Sequence, residues 1–401
     1  MRRFLKTIVV AAVQCVALAA VPASAQEAEG EPRIAPGLVF TPSIGIGAVY
    51  DGNPVLGANI NSPPSDGLTT VQPTVDFTYT AKHSFLGGGY RGSLQRYSSL
   101  EAYDSYTQGG HVEYRQQFSR RISLSVRDNL SLSPTTDLIE VAGVPFTRTG
   151  TTQNTISSAL LVNATKRLQM NVGYNFQWLQ FNRPEAPDSP LLEGGTGHTV
   201  SIHAGRALTS RLKLGGEYRL QYANIGETQS NESFTIQNAE GIVTVRLSPT
   251  MTIEAGAGIS RLALPEGNGT HLGPAGHFSL HKQTEYALFT ISTSRSFVPA
   301  FGFGGSFANQ EVLAGVRVPF YRRRGYINGD VTWSESEPAL QRELAITALW
   351  VRTTVGYLVQ RWLRVEGFYH GTFQDTPVAG GRIDRNRIGV QVATGYPMRL
   401  R

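Results

Sequence analysis

Leu168-Gln169-Met170-Asn171-Val172-Gly173-Tyr174-Asn175-Phe176-Gln177-Trp178 divides into two sets with a period of two. Leu168, Met170, Val172, Tyr174, Phe176 and Trp178 fall on one side, and Gln169, Asn171, Asn175 and Gln177 on the other. A helix would scatter both sets around its axis. An extended chain sends them to opposite faces, so the segment reads as a strand with one oily and one wet face. Leu212, Leu214, Tyr218, Leu220 and Tyr222 alternate with Lys213, Glu217, Arg219 and Gln221 in the same way. Leu363, Val365, Tyr369 and Phe373 alternate with Arg364, Glu366, His370 and Thr372.

These runs are longer than the roughly five or six residues of a strand in a soluble sandwich. At about ten residues or more they have the length a tilted strand needs to cross a hydrocarbon layer. Glycine and aromatic residues on the oily faces, with Tyr and Trp near strand ends, fit lipid contact and interfacial girdles. A long soluble β-sandwich or solenoid is the competing reading.

Short connections join the runs in pairs. Phe118-Ser119-Arg120-Arg121, Ala164-Thr165-Lys166-Arg167, Leu208-Thr209-Ser210-Arg211, Leu247-Ser248-Pro249-Thr250 and Val359-Gln360-Arg361-Trp362 each end one alternating run and begin the next. Ala81 to Ser84, His281 to Thr284 and Phe320 to Arg324 are weaker members, giving turns spaced about 40 residues apart, the period of a repeated hairpin. Between them lie longer connections rich in Pro, Gly, Asn and Asp: Asp51 to Gly67, Pro134 to Thr151, Asn182 to Gly197, Gly226 to Ser233, Pro265 to His271, Ser334 to Pro338 and Gln374 to Gly381. With a first strand near Leu38 to Tyr50 and a last near Asn386 to Tyr396, the expectation is an all-β, transmembrane, antiparallel up-and-down β-barrel of about 18 strands, with short turns on the periplasmic side. A miscount of one hairpin would make it about 16 or 20.

The chain's start agrees with that destination. Met1 to Ala25 has a basic opening (Arg2, Arg3, Lys6), an apolar middle and Ala23-Ser24-Ala25 before Gln26, the layout of a cleaved secretory signal. The expected division is a signal peptide over 1–25, a short periplasmic N-terminal segment over 26–37 and an outer-membrane β-barrel over 38–401. The single cysteine, Cys15, falls inside the leader. The mature chain is therefore expected to carry no disulfide and no cysteine-bound metal. A lipid anchor at Cys15 is disfavoured by Gln14, where a small residue is wanted.

The net charge of +6 includes three basic leader residues and no leader acid, leaving +3 after cleavage. Arginines spread along the chain rather than clustered do not point to nucleic acid. A charged fraction of 16% is low beside the roughly 25% of soluble domains.

A barrel of this size is wide enough for an aqueous lumen. Lumen-lining candidates on the wet parity are Arg91, Arg115, Arg127, Lys213, Glu217, Arg219, Arg246, Glu254, Arg317, Arg364, Glu366 and Arg387. Two readings of this set stand level: a weakly anion-favouring passage, and opposite charges that pair across adjacent strands. His111, His203, His277, His281 and His370 fall on separate strands with no Ser/His/acid signature, and no GxSxG, HExxH or Walker-type loop occurs. No catalytic residue, metal site or cofactor is assigned, and an enzyme is not expected. Gly256 and Gly258, like Gly302, Gly304 and Gly305, read as glycines on a barrel wall.

With its Phe118-Ser119-Arg120-Arg121 turn, its Val172-Gly173-Tyr174-Asn175-Phe176 segment and its final strand opened by Asp384-Arg385-Asn386-Arg387-Ile388-Gly389-Val390, the chain resembles the β-barrel porins encoded with bacterial exopolysaccharide secretion genes. The resemblance spans most of the mature chain on motifs of low specificity. It implies passage of a secreted polysaccharide across the outer membrane beside periplasmic polysaccharide-export components. One departure is the ending: many outer-membrane barrels finish on an aromatic residue, whereas this chain continues past Tyr396 through Pro397-Met398-Arg399-Leu400-Arg401.

The function expected is an aqueous outer-membrane passage for an exopolysaccharide. A general diffusion porin for small solutes is the alternative, and a barrel enzyme or adhesin the third reading. Expected partners are outer-membrane lipid and the transported solute, with no nucleic acid. No loop exceeds roughly 20 residues, which counts mildly against a porin narrowed by an inserted loop.

Overall fold

The structure is a computed structural model that describes residues 37–58, 63–139, 141, 143–182, 192–226, 232–264, 269–322, 324–339, 345–376 and 381–400. The expected leader, Cys15 and positions 26–36 lie outside the described residues.

Eighteen long strands account for most of the chain: β1 (Gly37–Asp51), β2 (Asp66–Thr80), β3 (Ser84–Tyr97), β4 (Ser105–Gln117), β5 (Ile122–Ser133), β6 (Thr151–Asn163), β7 (Leu168–Phe181), β8 (Gly195–Ala207), β9 (Leu212–Ile225), β10 (Glu232–Ser248), β11 (Met251–Ala263), β12 (Thr270–Gln283), β13 (Leu288–Pro299), β14 (Ser306–Phe320), β15 (Gly325–Pro338), β16 (Ile346–Gln360), β17 (Leu363–Thr376) and β18 (Gly381–Gly395). A short β19 (Met398–Leu400) follows. Each long strand pairs antiparallel with its sequence neighbours. β18 also pairs with β1, from Ser43 opposite Gly395 to Asp51 opposite Arg387, and the sheet closes into an 18-strand barrel. Closure leaves no edge with unpaired backbone groups, the condition for crossing lipid on strands.

The ending that departs from an aromatic terminus is part of this closure. After the break at Tyr396-Pro397, Met398, Arg399 and Leu400 pair with Phe40, Val39 and Leu38 of β1, extending the seam that β18 began.

A hydroxyl fixes several of the tight turns. Ser119 Oγ accepts the backbone N–H groups of Arg121 and Ile122. Thr165 does the same for Arg167 and Leu168, and Thr209 for Arg211 and Leu212. This side-chain imitation of a backbone turn gives the recurring Ser/Thr-x-Arg spelling its physical content. Thr284 caps Tyr286 and Ala287 likewise, so the β12–β13 turn begins at Thr284 where the sequence reading ended it.

The connection read at Ser334 to Pro338 is still strand: Ser334 and Ser336 point inward and donate to Asn309 Oδ1, while the intervening Glu335 faces the other way. Connections at 98–104 and 300–305 were not read from the sequence. The second contains Gly302, Gly304 and Gly305, with φ of 104°, 77° and 77°. These glycines serve a turn in left-handed backbone and do not sit on the wall. Gly256 and Gly258 do lie in a wall strand, β11.

Outward residues are apolar and exposed, among them Ile44, Ile46, Val172, Val200, Ile202, Leu214, Val355, Ile388 and Val390. Exposed aromatics flank this band: Tyr50, Tyr106 and Tyr222 near the long-loop end, and Tyr79, Tyr114, Phe118 and Tyr396 near the short-turn end. A continuous oily exterior with aromatic borders is a lipid-facing surface.

Candidate functional site

The cross-strand register carries one parity around the barrel, opposite to the oily face. Through the pairs Thr74–Arg91, Glu113–Arg127, Ser201–Arg219, Thr244–Glu254 and Gly356–Glu366, all twelve residues singled out above fall on the inner face. So do His111, His203, His277, His281 and His370, although His277 and His281 share β12 and do not lie on separate strands.

Most inner charges are neutralised locally. Glu113 accepts from Arg115 at 2.5 Å and from Arg127 at 2.7 Å. Glu217 accepts from Arg219 at 2.6 Å and lies 4.0 Å from His203. His277 Nδ1 stands 2.7 Å from Glu240, and its Nε2 3.6 Å from Glu254, which also accepts from Thr244 Oγ1. Arg364 meets Glu366 at 3.2 Å, and Tyr326 donates its hydroxyl proton to the same carboxylate. Lys213 bonds Gln169 and Arg317 bonds Asn328. Asp330 takes Arg352, a residue absent from the sequence-based set. Of the two readings of the inner charges, local pairing describes these contacts, across strands for Glu113–Arg127 and Asp330–Arg352 and along one strand for Glu113–Arg115, Glu217–Arg219 and Arg364–Glu366. Among the described residues, no inner histidine is joined to a hydroxyl nucleophile.

The lumen is not uniform along its axis. On the inner parity of β7, Gln169, Asn171, Asn175 and Gln177 give way to Leu179 and Phe181. On β9, Lys213, Glu217, Arg219 and Gln221 give way to Ala223 and Ile225. Phe234 and Ile236 on β10 and Leu262 on β11 continue this oily collar at the long-loop end.

The collar is covered by the described residues of the 134–150 connection, which fold into the barrel. Its Ile139 and Val144 pack with Leu179, Phe181, Ala223, Ile225, Phe234, Ile236, Leu262, Phe297 and Phe301 in one buried cluster. The sequence reading counted against an inserted loop on length. This segment is short, but four apolar residues, Ile139, Val141, Val144 and Phe146, gave it a reason to leave water. That composition, with the change of inner residues at Leu179 and Ile225, was the signal available and overlooked.

The loop's far side is held by polar contacts. Arg385, 1% exposed, donates Nη1 to both carboxylate oxygens of Asp137 at 3.0 and 2.9 Å, and Nη2 to Asp51 at 2.6 Å. Asp51 also accepts from Tyr97 and Arg387, at 2.9 and 3.1 Å. Gln374 accepts from Phe146 N–H and donates to Val144 C=O, and Trp350 Nε1 donates to Asp137 C=O. Arg148 donates to the carbonyls of Pro54 and Tyr103 and stacks over the Tyr103 ring. Burial pushes its guanidinium below the usual arginine value, though arginine stays charged at neutral pH. The loop leaves the wall between β5 and β6 and reaches β16–β18 and the β7–β13 side, so it spans the mouth.

Beneath this plug the barrel opens. A cavity of about 670 Å³ runs along the inner faces of β1–β3 and β15–β18, from Arg361 and Trp362 at the short-turn rim to Gln72, Arg91 and His370.

No protein-family profile matches the chain, and no curated protein sequence does. Among solved structures, Acinetobacter baumannii OccAB4 is similar with a TM-score of 0.46 at 8% identity, covering 92% of this chain and all of that one. The outer membrane protein opdK from Pseudomonas aeruginosa gives a TM-score of 0.43 at 11% identity over 89% of this chain and 99% of its own. Pseudomonas aeruginosa OprD gives 0.38 at 13% identity, over 90% and 96%.

Proposed function

We propose that the chain is an integral outer-membrane barrel through which small hydrophilic solutes pass, narrowed at its long-loop end by residues 134–149. The observation that carries this reading is the contrast inside the lumen: a polar cavity of about 670 Å³ below, and above it a loop packed on both sides. A packed loop across the mouth leaves little room for a polymer, while the oily exterior and closed sheet fit an outer membrane. This favours a diffusion porin over an exopolysaccharide exporter. The twelve inner residues, nine basic and three acidic, act in this reading as part of a lining in which further carboxylates, Glu113 and Asp51 among them, offset much of that charge.

One observation favours the export reading. The short turns carry Lys82, Arg120, Arg121, Lys166, Arg167, Arg211, Arg322, Arg324 and Arg361, all exposed, against Glu285 among the described turn residues. A basic ring at the periplasmic mouth would gather an anionic chain leaving the periplasm. Single-channel recording of the refolded chain separates the two. Steady small-ion current with exclusion of acidic oligosaccharides supports the porin, interruption of current by acidic oligosaccharides applied from the short-turn side supports export, and absence of current defeats both.

A further inference from the structure

Among the described residues the inner wall satisfies most of its charges, and Arg246 near the short-turn end is left without an ion pair. Asp51, Glu113, Glu217, Glu240, Glu254, Asp330 and Glu366 each meet a cation, an imidazole or a hydroxyl. Among the described residues Asp76 and Arg91 have neither an ion pair nor a hydrogen bond, although they share a face at mid-height. Thr74 stands opposite Arg91 and Asp76 opposite Gly89, so the two charges are diagonal cross-strand neighbours, a spacing of about 8 Å at the backbone. Asp76 leans over Gly89, its Oδ1 where a Cβ would stand, instead of towards Arg91.

Space has been kept around this pair. Both residues line the large cavity and also a second one of about 290 Å³, which the two share at Thr74, Asp76 and Arg91. The second cavity extends past Gly109 to His111 and Asn129. Gly109 is directly opposite Arg91, and a Cβ there would meet nothing nearer than a carbonyl at 3.7 Å. An unpaired guanidinium offers a planar double donor to a carboxylate, and an unpaired carboxylate offers acceptors to an ammonium. Standing apart across an open space, they match a solute carrying both groups.

We propose that Asp76 and Arg91 form a subsite for small zwitterions of the amino-acid type, the carboxylate facing Arg91 and the ammonium facing Asp76. This rests on the small-solute reading above and deepens it. A purely anionic solute would meet Asp76, and a purely cationic one Arg91, so each single charge is penalised where the double one is not.

The test measures binding to the refolded chain in detergent by saturation-transfer NMR, with L-alanine, propionate, ethylammonium and propionamide as probes. Alanine should bind best. R91Q and D76N should each weaken it about tenfold, the size of one charge-assisted contact, with R91Q abolishing the advantage over ethylammonium and D76N the advantage over propionate. Gly109→Leu, which fills the second cavity and leaves both charges, should weaken alanine without altering the ranking of the singly charged probes. Equal binding of all four probes, or an equal loss for all four in both charge variants, overturns the subsite. Propionamide flux into proteoliposomes checks the passage separately: flux without alanine preference sinks the subsite alone, and alanine binding without flux sinks the passage alone.

Discussion

The two ends of the lumen are built on the same strands and the same parity, yet one behaves as a protein core and the other as a wetted wall. At the long-loop end Leu179, Ile225, Ile236 and Leu262 are sealed from water, with no measurable exposure. Lower on those strands, Gln169, Lys213, Arg246 and Glu254 face the opening. Alternation fixes which way a residue points; what it points at depends on whether a loop has come in to cover it. The inserted loop therefore turns half of a channel into a hydrophobic core, stabilised by burial as any core is.

Removing the central buried ion should do most to break this division. Arg385 sits between two carboxylates, and Arg385→Met would leave Asp51 buried with Arg387, Tyr97 and the Asn53 N–H, and Asp137 with the Thr372 hydroxyl at 3.5 Å and no cation. Loss of one member of such a group costs about 3 to 5 kcal/mol. The expected outcome is a loop released from β18, seen as a larger single-channel conductance and protease cleavage within 134–149. Unchanged conductance in a correctly inserted barrel would mean that the apolar side alone holds the plug.

Apolar packing beside the ion cluster can be weakened separately, since Phe146 sits in a second buried cluster with Leu56, Ala348, Trp350 and Ile383. Phe146 is 1% exposed and meets Trp350 edge-to-face at 5.7 Å between ring centres. Phe146→Ala should cost about 3 kcal/mol through lost burial and a cavity. It should raise current noise more than mean conductance, since Asp137 and Gln374 still tether the loop. Loop opening as complete as in Arg385→Met would show that packing, not the ion cluster, is decisive.

The wetted half should respond in selectivity and barely in stability. Glu113 neutralises both Arg115 and Arg127, which are more than half exposed. Solvated pairs of this kind contribute little to folding. Glu113→Gln leaves two guanidinium groups facing the lumen uncompensated, so the reversal potential in a salt gradient should shift towards anion preference while thermal unfolding stays put. A shift in unfolding without one in selectivity would make this wall structural.

What the sequence made legible follows the same line. Strand length, parity and the Ser/Thr-x-Arg turns are local properties, and they led to a closed barrel of the observed strand number. Two features were misread where a local cue was ambiguous. Gly302, Gly304 and Gly305 looked like wall glycines because glycine is common there, and only their positive φ distinguishes a turn. Ser334 to Pro338 looked like a loop because its inward serines are polar, whereas Asn309 across the strand pair supplies their partner. The Asp51–Asp137–Arg385 cluster depended on side chains up to 334 positions apart, beyond the reach of any periodicity.

The smallest effect is expected at the short turns, far from the collar. Thr209 Oγ1 accepts from Arg211 N at 3.1 Å and Leu212 N at 3.0 Å. Both donors are at an exposed rim, where water can replace the hydroxyl, so Thr209→Ala should cost only about 0.5 to 1 kcal/mol. The turn also has Leu208 N–H and Thr209 N–H bonded to Leu212 C=O, at 2.9 and 3.2 Å, and the Arg211 carbonyl accepting from Arg246 on the next hairpin. Those backbone contacts survive the substitution and hold the register of β8, β9 and β10. Conductance and selectivity should therefore match the parent chain, with a slight fall in the unfolding midpoint. A change in conductance from this rim would mean that the short-turn end transmits strain to the plug, and the lumen would then have to be treated as one coupled body instead of two regions meeting at the collar.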